Sequence, residues 1–261
     1  MKESESKKKF LKYAVKTEKQ RSKLSNFYRK HLMSPLWGFL VEFFLRYIDY
    51  KKYENVVKVD LWDETVARFT DVRKTILVYL KPKRLYYIEF VKEFCDRFHE
   101  LYHMKNEFVI NDNILNWPFK RESLEAIIDV STSDHLDARD FSVLMKKYYK
   151  SLKKDGYIFL LHLNREYFNM KNFLKGETDY PTYTRNEKDI DKVIKDNGFE
   201  IISKRFYFPF LFDPYFASQE IYFRTLFLLH LVLGNLIFYI ITYIFNSRKT
   251  NIFIGYLLKK E

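Results

Sequence analysis

VVKVDLWDET, residues 56–65, is a β-branched run that turns abruptly polar at Asp60, Trp62, Asp63 and Glu64. It reads as a buried strand, and the apolar positions after it, Val66, Phe69, Ile76, Leu77 and Leu80 with Arg73 among them, recur at helical spacing until Pro82. The strand–helix unit repeats. LYYIEF (85–90) precedes a helix that turns Val91, Phe94, Cys95, Phe98 and Leu101 inward. FVINDNI (108–114) and LEAIIDVS (124–131) read as two further strands, and Phe141, Leu144, Met145, Tyr148, Tyr149 and Leu152 form the next helical stripe. GYIFLLHL (156–163) follows. Thr184 and Glu187 have capping-box spacing for a helix of Ile190, Val193 and Ile194 that ends at Gly198. FEIISKRFYF (199–208) and NIFIGYLL (251–258) complete the strands. Strands alternating with helices imply a largely parallel sheet covered on both faces, because each parallel crossover needs a dozen or more residues. The expected fold is α/β and Rossmann-like, with ligands bound beyond the carboxyl ends of the strands where strand order reverses.

The chain has 261 residues, 47% of them hydrophobic, enough to fill a sizeable core. Charge is uneven: residues 1–30 hold eleven Lys and Arg against three Asp and Glu, most of the formal net charge of +12. Such an arm suits an anionic lipid surface or a nucleic-acid backbone as well as a solvated helix face. Residues 34–50 place Leu36, Phe39, Leu40, Phe43, Phe44, Tyr47 and Ile48 on one helical face. The single Cys95 excludes an internal disulfide and, with the absence of a secretion-signal pattern at the start, points to the cytosol.

The expected strand ends are polar. Lys58, Asp60, Asp63 and Glu64 follow the first, Glu89 ends the second, Asn111, Asp112 and Asn113 end the third, and Ser131 to His135 follow the fourth. A charge in a central strand is costly unless paired, so Lys58 and Asp60 are expected to neutralise each other or a ligand, unless the strand stops earlier and leaves both in water. Glu89 is placed to accept from ribose hydroxyls of a nucleoside, or to cap the next helix.

These residues resemble the class I S-adenosylmethionine-dependent methyltransferases. YYIEFVKEFCDRF looks like that family's second strand and ribose acid, NDNILNWPF like its third-strand stretch, LEAIIDVSTSDHLD like its fourth strand and YYKSLKKDGYIFLL like the approach to its fifth. NGFEIISKRF matches the sixth, so the likeness spans roughly residues 53–208 and the final strand. The family's usual first motif is an acid followed by Gly-x-Gly. Here Lys58 takes the acid's place, and Asp60 and Trp62 take the glycines'. Members with Lys-x-Asp-Leu-aromatic at this point carry Ser-Thr-x-Asp-His after the fourth strand, and this chain has both, in Lys58 to Trp62 and in Ser131, Thr132, Asp134 and His135. The resemblance implies a seven-stranded sheet and S-adenosylmethionine as cofactor, held by Lys58, Asp60, Asp63, Glu89, Asp112, Asn113 and Ser131. Asp134 and His135 are the implied bases for a hydroxyl acceptor.

HELYH (99–103) matches the zinc-protease pattern, but the helix's apolar stripe turns His99 and His103 outward, and no metal is expected. His162 is expected to be a packed, hydrogen-bonded core residue. Residues 225–245 carry no formal charge and are long enough to span a bilayer. The implied organisation is a basic and amphipathic helical extension (1–50), a Rossmann-like core (51–208), a hydrophobic helical insert (209–249) and a final core strand (250–261). The functional expectation is methyl transfer to a small or lipid-linked acceptor at the cytosolic membrane face. A non-catalytic binding protein of the same fold and an RNA methyltransferase are the alternatives.

Overall fold

The computed structural model describes residues 45–48, 53–67, 72–102, 105–167, 169, 183–209 and 251–261. The basic arm, most of the 34–50 stripe, Phe69, His103 and the 225–245 run lie outside these residues. Seven strands form one sheet: β1 (Asn55–Val59), β2 (Arg84–Glu89), β3 (Glu107–Asn111), β4 (Leu124–Val130), β5 (Leu152–Leu163), β6 (Phe199–Pro209) and β7 (Asn251–Lys260). Their order is β3-β2-β1-β4-β5-β7-β6. β1 to β5 pair in parallel, while β7 runs antiparallel to both β5 and β6. Strand order reverses between β1 and β4, so their carboxyl ends flank the switch point.

Among the described residues four helices of eight or more residues flank the sheet: α1 (Val72–Tyr79), α2 (Lys92–Leu101), α3 (Ala138–Ser151) and α4 (Glu187–Asp196). Against one face pack Val72, Ile76, Phe94, Cys95 and Phe98 of α1 and α2, joined by Leu45 and Ile48. Against the other pack Phe141, Leu144, Met145 and Tyr148 of α3 and Ile190 and Ile194 of α4. These are the expected stripes, except that Leu101, Tyr149 and Val193 are only half-buried and Leu152, expected on the helix, begins β5. Burial pushes the Cys95 thiol up to about 12, which leaves it an inert core group.

Three local expectations are corrected. The stripe from Val66 to Leu80 is not one helix: a wide single turn, Asp63–Ala67, precedes α1. Thr65 opens it by returning both its backbone N–H (3.0 Å) and its hydroxyl (2.7 Å) to the Leu61 carbonyl. The third strand stops at Asn111, because Asn113 caps a short 3₁₀ turn, Ile114–Asn116, by accepting from Leu115 N at 2.9 Å. The cap of α4 is Asn186, whose side chain accepts from Asp189 N at 2.9 Å, and not Thr184. Glu187 points instead at Lys204 on β6, which takes it out of any capping box.

Candidate functional site

The first strand ends at Val59, and the chain turns at Asp60 in the left-handed region, φ 63°. A glycine adopts that conformation without penalty, and Asp and Asn are the other residues that tolerate it. Asp60 is held there by its own side chain. Oδ1 accepts from Trp62 N at 3.0 Å, and Oδ2 accepts from the Thr132 hydroxyl on the far side of the switch point. Trp62 packs edge-on against Phe94 of α2, ring centroids 5.8 Å apart. At Asp60 the first turn thus takes the left-handed backbone that glycine favours, with no glycine in it.

Lys58 is fully buried under this turn. Its ammonium lies 3.3 Å from Asp60 Oδ1 and 3.0 Å from Glu64 Oε2, and donates to the Asp60 carbonyl at 3.0 Å. The expectation that Lys58 and Asp60 pair holds, with Glu64 as a further partner. Burial disfavours the lysine's charge, but Asp60, Glu64 and Asp63 outweigh it and hold Lys58 protonated. One cation cannot serve three acids. Burial, with Asp63 and Asp60 nearby, pushes Glu64 up to about 7 despite the lysine. The Glu64 contact is an ion pair by distance only, since neither of its carboxylate oxygens has an aligned hydrogen bond.

Glu89 ends β2 beside this turn and is 3% exposed. Its two oxygens accept from Leu61 N (2.9 Å) and Val91 N (2.8 Å), so it ties the first turn to the start of α2. Burial and Asp60 push it up to about 7 against those two bonds. Asp112 and Asn113 are half-buried at the end of β3, where Asp112 N and the Asn111 side chain both donate to the Glu89 carbonyl (3.1 and 2.8 Å). Asp112 also accepts from Asn113 N at 2.7 Å.

After β4, Ser131 turns in the left-handed region (φ 65°) and donates its hydroxyl to Asp134. Asp134 is fully buried. It lies 2.6 Å from His162 Nδ1 and accepts from Leu163 N at 3.0 Å. His162 Nε2 in turn receives Arg185 Nη1 at 2.7 Å. That geometry assigns the proton to Nδ1 and makes His162 the packed core residue expected of it. Arg185 also donates to the carbonyls of Leu136 and Asp137 and stacks 4.5 Å above the Phe141 ring. Asp134 therefore presents no face to an acceptor. His135, next to it, is half-buried.

The switch point accordingly brings Lys58, Asp60, Asp63 and Glu89 together with Ser131 and Thr132, while Asp112 and Asn113 stand at the outer strand end. Thr132 reads from sequence only as part of the stretch after β4, and Asp129 and Arg185 are not singled out there. Thr132 makes the bond across the switch point. Asp129, buried in β4, accepts from Thr132 N (3.1 Å) and Tyr148 Oη (3.1 Å), and burial pushes it up to about 6. Its signal was an acid directly after the apolar run Ala126–Ile128. Arg185, from beyond β5, gave no local signal. His99 is exposed, and no cluster of three metal-ligating side chains occurs among the described residues.

No protein-family model and no curated protein matches the sequence. Solved structures do match the fold. A S-adenosylmethionine-dependent methyltransferase from Archaeoglobus fulgidus superposes with a TM-score of 0.54 at 14% identity, covering 85% of this chain and 94% of the other. The fold is that of the class I S-adenosylmethionine-dependent methyltransferases. Geranyl diphosphate C-methyltransferase from Streptomyces coelicolor A3(2) gives 0.56 at 12% identity, over 85% of this chain and 79% of its own. A cyclopropane synthase from Mycobacterium tuberculosis gives 0.56 at 10% identity, over 85% and 83%. In this methyltransferase fold the turn after β1 and the acid ending β2 are the two features that the geometry above places side by side.

Proposed function

We propose that the protein is an S-adenosylmethionine-dependent methyltransferase acting on a small or lipid-linked acceptor. The observation that carries this reading is Asp60: a non-glycine residue held at φ 63° keeps the first turn in a glycine conformation directly beside the buried Glu89. The residues fit the nucleoside half of the cofactor. Each Glu89 oxygen has a lone pair beyond its one backbone bond and can accept from ribose, with Asp112 and Asn113 next along the strand ends toward the base. On the methionine side Asp60, Asp63 and Ser131 offer polar groups, and Lys58 pairs with Asp60 from below. When bound, the cofactor supplies a methyl group on a sulfonium centre. The chain's part is to position an acceptor in line and exclude water. Asp134 serves through Ser131, whose hydroxyl it orients, and His135 is the base that can reach a hydroxyl acceptor.

A lipid-linked acceptor at a membrane face is supported by the uncharged 225–245 run and the basic arm. Among the described residues no helix is long and apolar enough to cross a membrane. A second reading, a binding protein without catalysis, is favoured by one observation: the carboxylates of Asp60 and Glu89 already have protein donors. An RNA substrate calls for basic, aromatic strand ends, and those described are acidic. Calorimetry with S-adenosylhomocysteine tests the proposal. Saturable binding, weakened at least tenfold by Glu89→Gln with an unchanged circular dichroism spectrum, is expected. No heat at millimolar ligand would leave the binding-protein reading standing. Cosedimentation with anionic vesicles, lost on deleting residues 1–30, tests the membrane element.

A further inference from the structure

At the opposite end of the strands from the switch point, four elements meet. β7 finishes at Lys260, the turn of Arg121 and Glu122 leads into β4, and α3 and α4 end at Ser151 and Asp196. Between them lies a cleft of about 440 Å³ lined by Arg121, Lys146, Tyr149, Lys150, Asp196 and Lys260. That volume is within the range of small-molecule sites. The β4 and β5 strands separate it from the switch point by roughly 20 Å, at 3.3 Å per residue.

Its charge is unbalanced in a particular way. Lys260 is 7% exposed, yet among the described residues its ammonium donates to the Leu152 carbonyl alone (2.7 Å), with the Tyr149 ring 4.9 Å away. The nearest carboxylate, Glu122, stands 3.7 Å off and is itself half in solvent. A buried ammonium has three protons to place, and two find no acceptor among the described residues. Lys146 and Lys150 stand one turn apart on α3 and have no acidic partner among the described residues, an arrangement that is mildly repulsive by itself. The terminal carbonyls of α3 do not claim these lysines. Lys150 O already accepts from Glu122 N at 3.0 Å, and Ser151 O accepts from Ser123 N at 2.8 Å. The floor is rigid: Tyr149 packs edge-on to Phe199 at 5.1 Å, and a Cβ on Gly198, φ 84°, would come within 3.1 Å of the ring.

We propose that this cleft binds a small, soluble phosphorylated ligand. The phosphate sits among Lys260, Lys146, Lys150 and Arg121, the body of the ligand lies on Tyr149, and Asp196 accepts from a hydroxyl. Phosphate supplies acceptors for several lysine protons at once, which a lone carboxylate at 3.7 Å does not. Concavity and a single ring floor select a small molecule over a polymer, whose footprint is a stripe of cations along a surface.

The test is calorimetric titration of the full chain with inorganic pyrophosphate and with adenosine 5′-monophosphate, at low and moderate salt. Stoichiometric binding is expected, at least tenfold weaker in Lys146→Glu/Lys150→Glu, a surface pair whose thermal melt should match the wild type. Tyr149→Ala should weaken the nucleotide more than pyrophosphate. S-Adenosylhomocysteine binding should be the same in the lysine variant and the wild type, which separates this cleft from the switch-point site. Equal pyrophosphate affinity in the lysine variant overturns the proposal. So does binding of an RNA oligonucleotide or of anionic vesicles, lost in that variant, with no binding of pyrophosphate.

Discussion

Replacing Lys58 by Met removes the one cation beneath three acids, and its cost should depend on pH in a calculable way. Removing one partner of a buried ion pair costs about 3–5 kcal/mol. Glu64 modulates that figure. In the native protein its carboxyl is held near 7, against an ordinary value of 4.5, so the folded state binds the extra proton and stability falls as pH rises through that window. Between pH 6 and pH 8 a group releasing its proton near 7 lowers stability by about 1.4 kcal/mol. Without Lys58 the carboxyl is driven further up, more of its proton is retained over both pH units, and the loss rises toward the one-proton limit of about 2.7 kcal/mol. Glu89, also held near 7 and also lowered by Lys58, shifts upward with Glu64 when the lysine is removed and adds to the same slope. Urea denaturation should therefore show Lys58→Met destabilised by about 3 kcal/mol at pH 6, with the gap widening by about 1.3 kcal/mol at pH 8. Adding Glu64→Gln should shrink the widening, leaving only the part carried by Glu89. A gap below 1 kcal/mol, or one that ignores pH, would refute the picture of a buried lysine serving an over-acidic turn.

Three further outcomes are expected. Thr132→Val removes the hydroxyl that spans the switch point and should cost about 1 kcal/mol in denaturation, with faster amide exchange at Trp62 as the Asp60 turn loosens. Asn186→Ala should cost about 1 kcal/mol in thermal unfolding, while Thr184→Ala changes it by less than about 0.5 kcal/mol, because only Asn186 caps α4. Arg185→Met strands His162 Nε2 and the carbonyls of Leu136 and Asp137, and should cost about 2–4 kcal/mol by denaturation. A loss below about 1 kcal/mol there would mean water replaces the guanidinium.

The strands and three of the four helices are legible because burial imposes a period of two or of 3.6, and residues such as Val56, Ile127, Phe141 and Ile194 obey it. What the pattern does not encode is where a polar side chain finds its partner. Thr184 to Glu187 and Asn186 to Asp189 have identical spacing, and Lys204, on the neighbouring strand, takes Glu187 and decides between them. Asp60 looked like a lost glycine. Its left-handed backbone is visible only in three dimensions, since it depends on Thr132, 72 residues away. Asp134 looked like a base for the same reason that it is a scaffold: an acid after a central strand is equally well placed to hold its neighbours. Its partners, His162 and Arg185, come from two other elements. The acids at the strand ends were readable, whereas their crowding around one lysine required the fold.

The edge of the sheet constrains a part of the chain that the strands do not contain. Pro209 and Asn251 are paired across β6 and β7, so the 41 residues between them depart and return within one strand spacing, roughly 5 Å. Topologically that whole stretch is the loop of a β-hairpin, and a two-residue Asn-Gly turn could close the same pair of strands. Its length and composition are therefore free to drift without disturbing the register of the sheet. A loop tethered at one point also crosses any bilayer an even number of times or not at all, so a crossing by the uncharged run would require a second crossing within the same 41 residues.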